Sequence, residues 1–328
     1  MPHNIPITIA CGNYDRVAGI RDGRVQVEGC DTTFLPMEPE EVFFRAFRYN
    51  EFDVCELSFS SYMMVTSRGE SPFIGIPAFV SRVFRHSGFY IRTDRGITTP
   101  QDLKGKLVGL PEYQMTAPVW MRGILKDEYD VDAKDIHWRN GGQEEAGRDE
   151  RTPLELTNGV DLQSIPKDRT LVEMFEAGEL DALMTARAPS SFVEGKPNIG
   201  HLFPDYREVE KAYYKKTKMF PIMHLIGIRR ELAEKYPWLP GSLYKAFLAA
   251  KEIALREVRE MAALNVTLPW VEAEALESIA LMGNDYWRYG IQECAHEIEA
   301  ITRYSYDQGL SERKLSPEDL FAASTFEM

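Results

Sequence analysis

The sequence predicts an α/β protein of two similar lobes around a central cleft, with a helical C-terminal region. Three observations carry that prediction. First, a segment repeats: setting Asp53 over Asp181 lays N-E-F-D-V-C-E-L on G-E-L-D-A-L-M-T. The apolar residues before the acid align as well, Phe43 on Leu171, Phe44 on Val172 and Phe47 on Phe175. In both copies a helically spaced apolar set leads to a turn residue (Asn50, Gly178), a short strand, and a loop of Ser, Ala and Pro. Second, apolar strands near 83–91 and 220–228 bracket the middle of the chain, as crossings between lobes would. Third, beyond residue 228 the pattern is almost wholly helical. Residues 1–90 and 222–328 then form a discontinuous first lobe and 91–221 the second. The loops after the repeat strands fall at the carboxyl ends of their sheets, where open α/β sheets bind ligands, and the ligand would lie between the lobes. Two βα units alike by chance are the plain alternative.

In chain order, Ile5, Ile7 and Ile9 alternate with polar or small residues and open the chain as a strand. Asn13 and Asp15 are placed to cap a short helix that starts in the cleft. The Asp22-Gly23 turn leads to a second strand region over 24–37, and Pro39-Glu40-Glu41 opens the first repeat helix. Residues 74–92 are strand-rich. A short capped helix over 98–106 leads into a strand at 107–110, and a helix from about 117 to 128 follows, with Thr116 as its N-cap. Its N-terminus presents unpaired N–H groups to an anion. Residues 135–138 form another strand. The polar, Gly-containing stretch 141–151 is expected to be a surface loop or hairpin tip rather than part of the chemistry. The later helices are placed at 231–236, 241–264, 271–282 and 291–307.

Composition narrows the function. Lys and Arg number 38 against 51 Asp and Glu, a net charge of -13, which argues against nucleic acid or anionic membrane as a partner. No segment approaches eighteen uninterrupted apolar residues, and the N-terminal MPHNIPITIACGNYDR has neither a basic region nor an apolar core of the secretory type. The expectation is a cytoplasmic protein. The four cysteines are scattered, without zinc-type spacing, and are expected to be buried and reduced. No Walker loop, GxGxxG, GxSxG, HExxH or EF-hand pattern occurs.

The remaining polar residues on the cleft loops are the candidates. Arg82, Arg85 and His86 form the densest cationic cluster, and arginine's planar fork suits a carboxylated ligand. On one strand Arg82 and His86 would share a face and Arg85 would take the other. Surface charges balancing nearby acids are the alternative for each. Ser58, Ser60 and Ser61 offer hydroxyl donors or caps. Arg187, opposite Phe59 in the repeat, should reach the cleft from the second lobe. Tyr113, Gln114 and Thr116 face the same space, as do Asn13 and Arg16 at the end of the first strand. His224 interrupts the apolar run FPIMHLIGI; a histidine there is either a hydrogen-bonded core residue or, at a junction between lobes, a catalytic group able to exchange a proton near neutral pH. His3, His137, His201 and His296 lack such context. Glu56, on the first repeat strand, is expected to be a buried carboxylate near the loop, with bonding to backbone donors as its plain alternative. A metal site of Glu56, His86 and His224 is conceivable, though spacing gives it little weight.

The passages EFDVCELSFSSY, YQMTAPVWMRGIL, GELDALMTARAPSSF, LFPDYREVEKAYYKKTKMFPIMH and YPWLPGSLYKAF resemble the 4,5-dihydroxyphthalate decarboxylases. So does the C-terminal MGNDYWRYGI…RYSYDQGLSERKLSPEDLFA, and the likeness runs through the whole chain in order. The resemblance implies a type II periplasmic-binding-protein fold without an export signal. It also implies loss of carbon dioxide from an aromatic vicinal diacid to give protocatechuate. Such a site needs a cation for the retained carboxylate, a base at the phenol and an acid at the ring carbon. Arg82, Arg85 and Arg187 are candidates for the first task and His86 and His224 for the other two, with Tyr113 and Ser60 orienting the hydroxyls. Those roles rest on placement in the cleft, not on a family motif. No organic cofactor is implied, and a divalent metal stays open. The partner expected is a small aromatic carboxylate, with a homo-oligomer plausible. The alternatives are a solute-binding protein or sensor that closes on its ligand without chemistry, or a relative of the thiamine-pyrimidine synthesising proteins of this fold.

Overall fold

The computed structural model describes residues 4–148, 150, 154, 156 and 158–328; His3 and residues 149 and 151 of the polar loop lie outside that set. Among these described residues eleven strands fall into two sheets. The first four are β1 (Ile5–Cys11), β2 (Cys30–Pro36), β3 (Val54–Ser58) and β4 (Phe73–Arg82). The next six are β5 (Phe89–Arg92), β6 (Leu107–Leu110), β7 (His137–Asn140), β8 (Asp161–Ser164), β9 (Ala182–Met184) and β10 (Ile199–His201). The last, β11 (Ile222–Arg229), returns to the first sheet. The orders are β2-β1-β3-β11-β4 and β10-β5-β9-β6-β7-β8. β3, at the centre of its sheet, is buried at all five positions, as a strand covered on both faces must be.

The repeat is structural. Asp53 Oδ2 accepts the Thr8 amide at 2.9 Å, so the acid ties the start of β3 to its parallel neighbour β1. Asp181 Oδ2 accepts the Leu107 amide at 3.0 Å and does the same between β9 and β6. The turn residues before them take left-handed conformations, Asn50 at φ 50° and Gly178 at φ 76°. In each sheet an antiparallel crossing strand lies beside this pair, β11 along β3 and β5 along β9.

β11 pairs with β3 through His224↔Ser58 and Ile226↔Glu56, and with β4 through His224↔Ser81. The β4 register shifts on both sides of His224. Irregularities of this kind re-aim a side chain, and Met223 and His224, neighbours in sequence, both line the cleft.

The C-terminal helices Arg230–Lys235, Leu239–Glu257, Val271–Met282 and Ala295–Asp307 follow. The second stops at Glu257, short of residue 264, before an exposed stretch that carries β-branched residues and Pro269. Ala295–Asp307 packs on Thr116–Tyr129, a helix of the second sheet. Tyr304 donates to Asp127 at 2.6 Å, and a Cβ at Gly123 would lie 2.3 Å from the Tyr304 ring, so only glycine fits there. The segment expected to belong to lobe one therefore also grips the other lobe.

Other expectations shift in detail. The second strand is only Cys30–Pro36, because Gly29 at φ 78° breaks the chain before it. Residues 98–106 form one 3-10 turn, Pro100–Leu103, with a Thr99/Asp102 capping box. The passage 74–92 splits at a 3-10 turn, His86–Gly88. The polar β8 and the short β10 carry no clear alternation and were not expected. All four cysteines are free and buried. Among the described residues no helix is long and apolar enough to cross a membrane.

Candidate active site

Two helix N-termini, one from each lobe, meet where β3 and β6 end. β3 runs straight into the helix Phe59–Ser67, and β6 reaches Thr116–Tyr129 through the loop 111–115. Thr116 Oγ1 accepts the Ser60 amide at 3.1 Å and lies 3.1 Å from Ser58 Oγ, to which the Ser61 hydroxyl donates at 3.3 Å. Thr116 is thus not the N-cap of its own helix, a place taken by Met115, but caps the helix of the opposite lobe.

Between these ends lies a cavity of about 210 Å³, whose lining includes Ser58, Ser61, Thr116, Arg85, Met223 and His224, with Phe43, Met115 and Glu112 also on its wall. It is smaller than the roughly 300–1,000 Å³ typical of drug-sized ligands and suits a single ring. An outer space of about 610 Å³ shares Glu40, Met115, Ala186 and Arg187 with it and is bounded beyond them by Pro111, Thr185 and the 142–148 loop.

His224 supplies the cavity's imidazole. Its Nδ1 lies 2.6 Å from Oε1 of Glu56, and the edge of the Phe43 ring packs on it with centroids 4.8 Å apart. Glu56 is fully buried; its Oε1 also accepts the Tyr14 hydroxyl at 2.9 Å, and its Oε2 accepts the Gly12 amide at 2.8 Å. Burial alone would raise this carboxyl, but the bonds from His224, Gly12 and Tyr14 hold it below the ordinary value, so Glu56 is the anion. A carboxylate at Nδ1 leaves Nε2 to the cavity.

Arg85 supplies the cavity's buried cation. It is 9% exposed, its Nε donates to Met223 Sδ at 3.2 Å, and burial pushes its pKa down to about 10, with Glu210 acting against that only at range. Arg187 also lines the cavity but is largely exposed and stands 3.7 Å from Glu40.

Several sequence candidates lie elsewhere. Arg82 and Arg85 part company at the end of β4. The Arg82 guanidinium is buried against Glu297 at 3.2 Å, with the Phe220 and Arg288 carbonyls at 2.6 and 2.7 Å. It holds the C-terminal helix to the sheet and does not reach the cavity. His86 is not on a strand: its 3-10 turn carries it between Phe203 and Tyr213, 5.3 Å away on each side, where neither ring nitrogen has a hydrogen-bond partner. Burial lowers its pKa to about 4. The Glu56–His86–His224 metal set is therefore not assembled, and among the described residues no three His, Cys, Asp or Glu side chains are grouped to hold a metal ion. Tyr113 turns inward, its ring 3.6 Å from the Arg122 guanidinium and its hydroxyl buried. Ser60 contributes its amide, while its hydroxyl points into the core. Asn13 is exposed and caps nothing. Arg16 is sandwiched between Tyr14 at 4.0 Å and Trp287 at 4.2 Å, behind the Glu56 network rather than on the cavity.

The loop 141–151 was expected to lie away from the chemistry. Instead Arg148 Nε donates to Glu112 Oε1 at 2.9 Å, and its NH2 group reaches Glu40 of the first lobe at 3.5 Å. Glycines and polar residues mark such a loop, but nothing in its local sequence reveals what it folds against.

The chain has the two-lobed fold of the type II periplasmic binding proteins, with its candidate site in the interlobe cleft. The Escherichia coli aliphatic sulphonate binding protein SsuA superposes with a TM-score of 0.53 at 11% identity, covering 99% of both chains. No protein-family profile matches the chain. A 4,5-dihydroxyphthalate decarboxylase of Comamonas testosteroni is 46% identical over 323 residues, 98% of each chain. One of Pseudomonas putida is 46% identical over 213 residues, 65% of this chain and 83% of that one. The chain belongs to the 4,5-dihydroxyphthalate decarboxylase family.

Proposed function

We propose that the protein removes one carboxyl group from 4,5-dihydroxyphthalate without oxidation, giving protocatechuate and carbon dioxide. Near-complete coverage of a 46% identical decarboxylase supports the reading. The observation that carries its mechanism is His224, anchored at Nδ1 by buried Glu56 with its other edge on a ring-sized cavity.

Each carboxylate of this substrate has a hydroxyl para to it. Removing the proton of that hydroxyl pushes electron density onto the ring carbon that bears the carboxylate. The Ser58–Thr116–Ser61 hydroxyls orient the catechol, and Glu112 on the cavity wall takes the proton. Protonated His224 gives a proton from Nε2 to the ring carbon, forming a new C–H bond. The C–C bond to the carboxylate then breaks, its electron pair returns to the ring, and carbon dioxide leaves. The phenolate recovers its proton from Glu112. One proton is consumed per turnover, and Glu56 stabilises the imidazolium that supplies it.

The test is direct: the purified protein is mixed with 4,5-dihydroxyphthalate, and carbon dioxide and protocatechuate are measured. Formation of both in equal amounts is expected. Tight binding without either product would make the protein a solute-binding relative or sensor.

A further inference from the structure

Resting on that decarboxylase reading, we infer that Arg85 grips the carboxylate that stays, so that the enzyme demands a vicinal diacid and stops after one carbon dioxide. Arg85 is a buried guanidinium on a cavity wall, and among the described residues it has no carboxylate within ion-pair distance. The other charges on the cavity are matched: Glu112 by Arg148, and Glu40 by Arg148 and Arg187. A buried cation without a counter-ion is costly, and burial acts on Arg85 in the direction that cost requires. A ligand carboxylate removes it and matches the guanidinium fork in a way one ammonium cannot.

Position turns this grip into selectivity. Arg85 donates to Met223, and Met223 precedes His224 on β11. The cation and the proton donor therefore line one cavity, with Met223 between them in contact, and a ring that carries two adjacent carboxyl groups can address both. When one carboxylate of a vicinal pair sits on Arg85, the neighbouring ring carbon faces His224. Protocatechuate has a single carboxylate, also para to a hydroxyl, so ring electronics alone would allow it to react again. Held on Arg85, that carboxylate is kept from His224. The product then binds as an inhibitor and is not consumed.

The test combines kinetics with a binding assay that needs no turnover. Wild-type protein should bind phthalate, which lacks the hydroxyls, at least tenfold more tightly than benzoate. It should release no carbon dioxide from protocatechuate, which should inhibit competitively. Arg85→Gln should weaken phthalate binding about 10- to 100-fold and erase its advantage over benzoate, with Arg85→Lys between. Unchanged phthalate affinity in Arg85→Gln, or carbon dioxide from protocatechuate in the wild type, would overturn the inference. If the wild type fails to decarboxylate 4,5-dihydroxyphthalate, the parent reading falls, while the phthalate titration still decides whether Arg85 holds a carboxylate.

Discussion

His224 Nδ1 and Glu56 Oε1 stand 2.6 Å apart, joining a side chain of the crossing strand β11 to a fully buried carboxylate of β3. The pair brings together residues 168 positions apart through the register that sets Ile226 opposite Glu56. Its bonds are directional, and that makes substitution informative. Glu56 accepts at both oxygens, from His224 and Tyr14 at one and Gly12 at the other. In Glu56→Gln an amide nitrogen must face one of those donors. The imidazolium then loses its counter-charge and the ring its fixed orientation, and kcat should fall about 100-fold while KM moves only a few-fold. His224→Ala should lose roughly 10²–10⁴ in kcat with the fold intact by circular dichroism. Wild-type turnover in His224→Ala would remove the histidine from the chemistry.

Arg82→Ala should act on stability and not on the reaction. Its guanidinium and Glu297 are both without exposed side-chain surface, and Arg288 shares the same carboxylate at 2.9 Å. Truncating one partner of a buried pair costs about 3–5 kcal/mol. Thermal melting should show a large drop, and whatever folded protein remains should turn over substrate at a normal rate. A stable but inactive Arg82→Ala would return the residue to the site.

The sequence made the repeated half of the fold legible because its signals are local. Asp53 and Asp181 follow their turns, and the helices before them have apolar residues at the right spacing, so both units can be found without knowing what they pack against. His224 was legible for a similar reason: one imidazole in an apolar run is conspicuous. The cationic cluster misled, because three residues within five positions are separated by the end of β4 and a 3-10 turn into an ion pair, a cavity wall and an aromatic core. Arg148 and Glu40 were invisible as a pair, since 108 positions separate them and neither lies in a patterned element that points to the other.

The His86 imidazole gives a pH dependence that is separable from catalysis. Burial lowers its pKa from 6.5 to about 4, so the folded protein keeps it neutral where the unfolded chain takes up a proton. Its contribution is whole above pH 6.5 and is lost as pH falls from 6.5 to about 4, below which the folded form is protonated too. His86→Phe fills the space between Phe203 and Tyr213 with a ring that cannot titrate. Melting temperatures measured between pH 7 and about 4 should fall less steeply in this variant than in the wild type. An unchanged slope would mean that other groups carry the acid sensitivity.

Glu40 sits at the start of the helix Pro39–Tyr49 and faces two second-lobe guanidinium groups, Arg148 at 3.5 Å and Arg187 at 3.7 Å. The Arg187 side chain is 73% exposed, so the contact should contribute less than about 1 kcal/mol to stability. Its larger effect is competition. A dianionic substrate entering past Glu40 meets a carboxylate that already claims the cations at the cavity mouth. Glu40→Gln removes that competitor and one like charge, so KM for the diacid should fall several-fold at low salt with kcat nearly unchanged. Because the groups at the mouth are partly solvated, the difference should shrink as salt shortens the Debye length below about 10 Å. A rise in KM at low salt would point the other way, to a Glu40 that accepts a hydrogen bond from the bound catechol and belongs to the binding site itself.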